Sequence, residues 1–101
     1  MSHAVIYRYR INPDKAADFI SAWSRLAEVN REYYGTLGAR LHLADDGMYY
    51  GYSRWPSRQA FDAAEERPAP TAARALMASA IVERLPPIHM DIKADFLETG
   101  R

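Results

Sequence analysis

Short stretches that alternate apolar and polar side chains are separated by longer helical patterns, and their order is the feature that most constrains the fold. Residues 3–11 and 39–44 alternate with the period of two that is typical of half-buried strands. Residues 48–55 alternate in the same way, and the turn Asp45-Asp46-Gly47 before them predicts a β-hairpin. Between the first two strands, Asn12-Pro13-Asp14 predicts the start of a helix of about 20 residues. This helix is expected to end before Gly35 or Gly38.

The second half of the chain repeats the pattern with interruptions. A helical pattern begins near Ala60, is broken around Pro68 and Pro70, and resumes over residues 71–84. A last strand is predicted after Pro86-Pro87, over residues 88–96. The order β-α-β-β-α-β predicts an α+β, ferredoxin-like sandwich, in which a four-stranded antiparallel sheet of order 4-1-3-2 carries the helices on one face.

Length and charge exclude several classes of protein. The 101 residues are expected to form one domain over 1–101, small enough that a partner subunit would help to bury its surface. Thirteen basic and thirteen acidic side chains balance, which argues against a nucleic-acid or anionic-membrane partner. The chain has no cysteine, and therefore no disulfide or thiolate metal site. Since no run is long and apolar enough to span a membrane, we predict a cytoplasmic protein.

The sheet face without helices is predicted to pair with a second copy of the chain. Tyr and Arg are typical of interfaces because they bury area and keep a polar tip satisfied. The predicted face carries Arg8, Arg10, Arg40, His42, Tyr50, Tyr52, Arg54, His89, Asp91 and Lys93. We therefore predict a homodimer that forms sheet against sheet, with Arg8, Tyr50, Tyr52 and Arg54 in the interface.

The helix-facing side of the sheet is rich in aromatic side chains, which allows two interpretations. Such walls bind flat ligands, but aromatic residues at this spacing also simply fill a core. Gly51 and Ser53 are small neighbours of large rings and favour some empty space. The residues predicted to bind a substrate are Tyr7, Tyr9, Trp23, Tyr49, Ser53 and Trp55.

The chain resembles the antibiotic biosynthesis monooxygenase family of the dimeric α/β barrel superfamily. The resemblance is clearest where the strand ending in Trp55 is followed by Pro56-Ser57-Arg58-Gln59-Ala60-Phe61. It implies two ferredoxin-like sheets paired into a barrel, and oxidation of an aromatic polyketide by oxygen without metal, flavin or haem. Trp55 matches the tryptophan of the family's pocket. Gly51 and Phe61 stand where the resemblance would place an asparagine and a tyrosine.

Three functions are consistent with these patterns. The first is a cofactor-independent monooxygenase for a small phenolic or quinonoid compound, in which a Tyr or His would act as the base. The second is a non-catalytic protein that binds such a compound, and the third is a structural dimer with a filled core. No catalytic residue is assigned, because Gly51 and Phe61 replace the two groups that the resemblance implies, and the resemblance implies no cofactor. No metal site is predicted, because His42 and His89 are expected to lie about three strand spacings apart within one subunit, roughly 14 Å, and neither a Cys nor a well-placed third His is available.

Overall fold

The computed structural model describes residues 2–97, and its strands and helices follow the predicted order. The strands are β1 (His3–Ile11), β2 (Gly38–Leu43), β3 (Tyr49–Trp55) and β4 (Ile81–Asp91). The helices are α1 (Ala16–Tyr33), α2 (Arg58–Glu65) and α3 (Thr71–Ala80), and α1 is preceded by a 3-10 turn over Pro13–Lys15. The sheet is antiparallel with the order β2-β3-β1-β4, which confirms the predicted ferredoxin-like α+β fold.

The ends of the first helical segment are set by local chemistry, as predicted. The Asn12 side chain accepts a hydrogen bond from the Asp14 amide at 3.0 Å and so satisfies one of the free amides of the first turn. Helix α1 ends at Tyr33, and Gly35 follows in the left-handed region at φ 85°. One side of α1 is buried through Phe19, Ala22 and Val29.

The turn between β2 and β3 is also the predicted one. Gly47 has φ 82°, a conformation that side chains with a Cβ rarely adopt. The Asp46 carboxylate accepts hydrogen bonds from the Met48 amide at 2.8 Å and from the Tyr50 hydroxyl at 2.9 Å. These two bonds hold the pKa of Asp46 below its usual value.

The predicted boundary between the last helix and the last strand is wrong. Helix α3 ends at Ala80 and β4 begins at Ile81, so Pro86-Pro87 lies inside the strand. This is possible because β4 is an edge strand that pairs only with β1. The pairing shifts register at the prolines, between Ile6 opposite Ile88 and Arg8 opposite Leu85, so that one extra residue of β4 is accommodated.

The register of β4 also corrects the predicted faces of that strand. His89 lies opposite Val5 and Asp91 opposite His3, which places both on the helix-facing side. The prediction had put His89 and Asp91 on the other face because the apolar residues of this strand were assigned to the core. In the structure Ile88 is on the helix-free face and is 41% exposed. Lys93 lies beyond the end of β4.

His89 takes part in a cluster of side chains under helix α2. Its ring stacks on His3 at 5.2 Å between centroids, and His3 Nε2 and His89 Nδ1 share a hydrogen bond of 3.0 Å. The ring of Phe61 packs edge-on against His89 at 5.1 Å, and Asp91 lies 3.7 Å from His3 Nδ1. Burial lowers the pKa of His89, Arg58 and His3 lower it further, and Asp62 opposes them.

The helix-free face is partly covered by the end of the chain itself. Residues 92–97 follow β4 and fold back, and Asp95 forms an ion pair with Arg54 at 2.7 Å. Ala4, on the same face, is only 2% exposed. The remainder of this face carries the side chains of Arg8, Tyr50 and Tyr52, all half-buried.

Gly51 is buried against helix α1 rather than beside an empty space. A Cβ at this position would lie 3.2 Å from Trp23 Nε1 and 3.7 Å from Tyr7 Cβ. The indole of Trp23 therefore fills the volume that the sequence had suggested for a ligand next to Gly51. No helix between residues 2 and 97 is long and apolar enough to cross a membrane.

We expect Gly51→Leu to lower the free energy of unfolding by about 1 to 3 kcal/mol, because the larger side chain overpacks the indole of Trp23. Gly51→Ala should cost less, since only one carbon is added and the unfolded chain loses backbone freedom. Urea unfolding followed by fluorescence measures both. A Gly51→Leu protein as stable as the wild type would contradict this description of the core.

The lowered pKa of His89 predicts that acid destabilises the protein. The unfolded chain takes up a proton near pH 6.5, above the pKa of His89 in the folded state, so the free energy of unfolding falls as the pH drops below about 6.5. Thermal unfolding between about pH 7.5 and about pH 5.5 measures this loss. His89→Gln should reduce it, whereas His42→Gln, at an exposed strand position, should keep it. An equal loss in both variants would refute the role of His89.

Candidate functional site

A cavity of about 370 Å³ lies between the sheet and the helices. This volume is within the range of roughly 300 to 1,000 Å³ that is usual for small-molecule sites. Five of the six residues predicted to bind a substrate line it, namely Tyr7, Tyr9, Trp23, Ser53 and Trp55. Tyr49 is outside the lining and packs edge-on against Phe19 at 5.4 Å, so its ring belongs to the core.

Tyr7 and Tyr9 form one wall of the cavity. Their rings are nearly parallel, at 15°, with centroids 6.3 Å apart. Burial raises the pKa of Tyr7 far above its usual value, and the Glu65 carboxylate adds to the rise. Burial likewise raises the pKa of Tyr9 to about 12, although the Arg84 guanidinium lowers it in part. Both phenols are therefore neutral near pH 7, and each can donate a hydrogen bond but cannot act as a base.

The hydroxyls of these two tyrosines are available to a ligand. Within residues 2–97, neither Tyr7 nor Tyr9 donates its hydroxyl proton to another protein group. By contrast, the indole of Trp55 donates from Nε1 to Ser53 Oγ at 3.0 Å, and both residues are buried. The only hydrogen-bond donor of the Trp55 side chain is therefore already used. The bond to Ser53 holds the indole in place as part of the cavity wall.

Several polar residues of the lining were not predicted. They come from the end of α1, the connection of α2 to α3, helix α3 and strand β4: Asn30, Tyr34, Thr36, Glu65, Arg67, Arg74 and Arg84. Strand alternation gives no signal for these residues. The side chains of helix ends and connections follow no such period, so the direction in which they point is known only from the fold. Arg84 was in addition placed in a helix.

Two of the arginines of the lining lie over aromatic rings. The guanidinium of Arg84 lies over the ring of Tyr9, 5.4 Å from its centroid, and that of Arg67 lies over Tyr34 at 5.5 Å. Tyr34 is itself fixed, since its hydroxyl donates to the carbonyl oxygen of Pro68 at 2.5 Å. The cavity thus combines apolar aromatic walls with cationic groups.

The sequence predicted a Tyr or a His as the base, and tyrosines are among the lining residues. No histidine belongs to the lining in the described part of the chain. His3 and His89 belong to the cluster under helix α2, where Phe61 packs against His89. His42 forms a hydrogen bond of 3.1 Å with the carbonyl oxygen of Tyr50. With both phenols neutral, Glu65 is the carboxylate of the lining that can accept a proton. Between residues 2 and 97, no three His, Cys, Asp or Glu side chains gather closely enough to hold a metal ion.

The fold is shared with solved structures of proteins from several organisms. Rv0793 from Mycobacterium tuberculosis superposes with a TM-score of 0.78 at 19% identity, over 96% of this chain and 100% of that one. SnoaB from Streptomyces nogalater, described as a cofactor-independent oxygenase, has a TM-score of 0.78 at 16% identity, over 96% of this chain and 98% of its own. A conserved protein from Methanosarcina mazei has a TM-score of 0.79 at 12% identity, over 92% and 94%.

Sequence comparison identifies the family. No curated protein sequence matches the chain significantly. The family profile described as antibiotic biosynthesis monooxygenase, however, matches residues 2–76. That span includes the first three strands, helices α1 and α2, and the beginning of α3. The chain therefore belongs to the antibiotic biosynthesis monooxygenase family.

Proposed function

We propose that this protein is a monooxygenase that oxidises a small planar phenolic or quinonoid compound inside the cavity, without metal, flavin or haem. The observation that carries the proposal is the aromatic cavity of about 370 Å³ with the free hydroxyls of Tyr7 and Tyr9 in its wall. Membership of a monooxygenase family and the fold shared with SnoaB, a cofactor-independent oxygenase, support it.

The chemistry requires an electron-rich substrate. Removing a proton from a phenol or from an acidic methylene of an anthrone gives an anion that can pass electrons to molecular oxygen. In the overall reaction the methylene loses its two hydrogens and becomes a carbonyl, one oxygen atom of O₂ enters that carbonyl, and the other leaves as water. The protein has to supply a base, stabilise the anion and orient the flat ring.

The lining residues can fill these roles. We assign the role of base to Glu65, because it belongs to the cavity lining and its charge raises the pKa of both Tyr7 and Tyr9. The neutral phenols and the Arg84 guanidinium can donate hydrogen bonds to the developing oxyanion. Trp23 and Trp55 provide flat walls against which the ring stacks.

A non-catalytic binder is the second candidate, and one observation favours it. Gly51 and Phe61 replace the amide and the phenol that the family resemblance implies, so any catalysis depends on other residues of the lining. The same cavity and the same aromatic walls would hold the ligand in either case. A purely structural dimer is less well supported, because it would have a filled core, whereas a cavity of about 370 Å³ lies between the sheet and the helices.

We expect the protein to oxidise dithranol, an anthrone, to danthron, the corresponding quinone, with uptake of one O₂ per molecule. Glu65→Gln should lower kcat by about 100-fold or more, since it removes the base. Tyr9→Phe should lower it by about tenfold, because one donor to the oxyanion is lost. Oxygen uptake and the absorbance of danthron measure the rate, and danthron binding is measured by calorimetry.

Glu66→Gln is the matched control, since Glu66 is the next carboxylate along the chain and does not line the cavity. It should keep the wild-type rate. Binding of danthron without oxidation of dithranol would favour the binder. If danthron does not bind at all, both functions of the cavity are wrong.

We further propose that the protein forms a homodimer through the helix-free sheet face. This face combines the half-buried Arg8, Tyr50, Tyr52 and Arg54 with apolar neighbours such as Ile6 and Ile88. A sheet-on-sheet contact would be expected to bury more than roughly 1,000 Å², which is enough for a stable interface.

We expect Tyr52→Asp to dissociate this dimer, because it places an unpaired charge in the interface. Sedimentation equilibrium measures the mass. Tyr33→Asp is the control, since Tyr33 is 67% exposed at the end of α1 and should leave the dimer intact. A wild-type protein that sediments as a monomer at micromolar concentration would overturn the proposed interface.

A further inference from the structure

Three arginines from separate segments of the chain reach the same cavity. Arg67 follows helix α2, Arg74 is on α3 and Arg84 is on β4, and all three belong to the lining. The lining contains a single carboxylate among the described residues, that of Glu65. The cavity wall thus carries an excess of two positive charges, although the chain as a whole is neutral.

These arginines are not used in ion pairs of the fold. Elsewhere Arg10 pairs with Glu83 at 3.1 Å, Arg54 with Asp95 at 2.7 Å and Arg58 with Asp62 at 3.2 Å. Within residues 2–97, no carboxylate lies within 4.0 Å of the guanidinium groups of Arg67, Arg74 or Arg84. Arg8, Arg25, Arg31 and Arg40 also have no such partner, but none of them lines the cavity.

Two of the three groups are held in a way that leaves their donors free. Arg84 lies over the ring of Tyr9 and Arg67 over the ring of Tyr34. A guanidinium that stacks on an aromatic face is oriented by it and still presents its N–H groups at the edge. Those groups form the planar fork that binds a carboxylate through two parallel hydrogen bonds.

We propose that the ligand of this cavity is a planar aromatic carboxylate, whose carboxylate is bound by Arg67, Arg74 and Arg84. The proposal rests on the proposed function, since it names the substrate class of the same site. It also reduces the excess charge: a ligand carboxylate balances one of the two positive charges, and the positive charge that remains can stabilise the oxyanion formed when the phenol or anthrone loses its proton to Glu65.

The test compares two ligands that differ only in the carboxylate. Danthron is a dihydroxyanthraquinone, and rhein is the same molecule with one carboxylate added. We expect rhein to bind at least about tenfold more tightly than danthron, the effect of one charge-assisted contact. Calorimetric titration of the wild type with each compound gives the ratio, and raising the salt concentration should reduce it.

Arginine variants locate the effect. Arg67→Gln, Arg74→Gln and Arg84→Gln should each lower the rhein-to-danthron ratio by about threefold or more. Arg67→Gln and Arg74→Gln should do so while leaving danthron binding and the unfolding temperature nearly unchanged. Arg58→Gln is the matched control, because Arg58 is on α2, pairs with Asp62 and does not line the cavity. It should keep the wild-type ratio.

Each other outcome rejects the inference in a distinguishable way. Equal binding of the two compounds would overturn the carboxylate site but leave the proposed function standing. Tighter binding of rhein that all three arginine variants retain would show that other groups recognise the carboxylate. If neither compound binds, the proposed function and this inference both fail.

Discussion

The position of helix α1 on the sheet depends on the contact between Trp23 and Gly51. Because Gly51 has no Cβ, the indole of Trp23 lies directly on strand β3. A Cβ at this position would lie 3.2 Å from Trp23 Nε1. The same indole and the neighbouring ring of Tyr7 then face the space between sheet and helices. The indole of Trp23 is therefore packed against Gly51 on one side and forms part of the cavity wall on the other. A rigid ring held against Gly51 cannot also fill the cavity.

Electrostatics gives this cavity its chemical character. Two buried phenols cannot ionise near neutral pH, because removing them from water penalises the charged form. Neutral phenols can donate hydrogen bonds, and the positive charge of the lining comes from Arg67, Arg74 and Arg84. Stacking on Tyr9 and Tyr34 holds two of these arginines beside the phenols without neutralising them. An aromatic wall with fixed cations is suited to a flat ligand that is, or becomes, an anion.

The edge strand shows how local sequence rules can mislead. Two adjacent prolines are typical of a break between elements, yet on β4 they are accommodated within the strand, since only one side of an edge strand is paired. The register shift that they require places His89 and Asp91 on the helix-facing side. The result is a pair of stacked histidines under Phe61 instead of a row of charges on the helix-free face.

The sequence by itself determined the order of the elements, the start of α1 at Asn12, the turn at Gly47 and the inward faces of β1 and β3. These follow from capping, turn chemistry and periodicity, which act over a few residues. It also singled out five of the residues that line the cavity, because strand alternation fixes their direction. Only the tertiary structure decided that Trp23 fills the space at Gly51, that Tyr49 belongs to the core and that Arg67, Arg74 and Arg84 line one cavity. Those facts depend on contacts between residues distant in sequence, for which local patterns carry no signal.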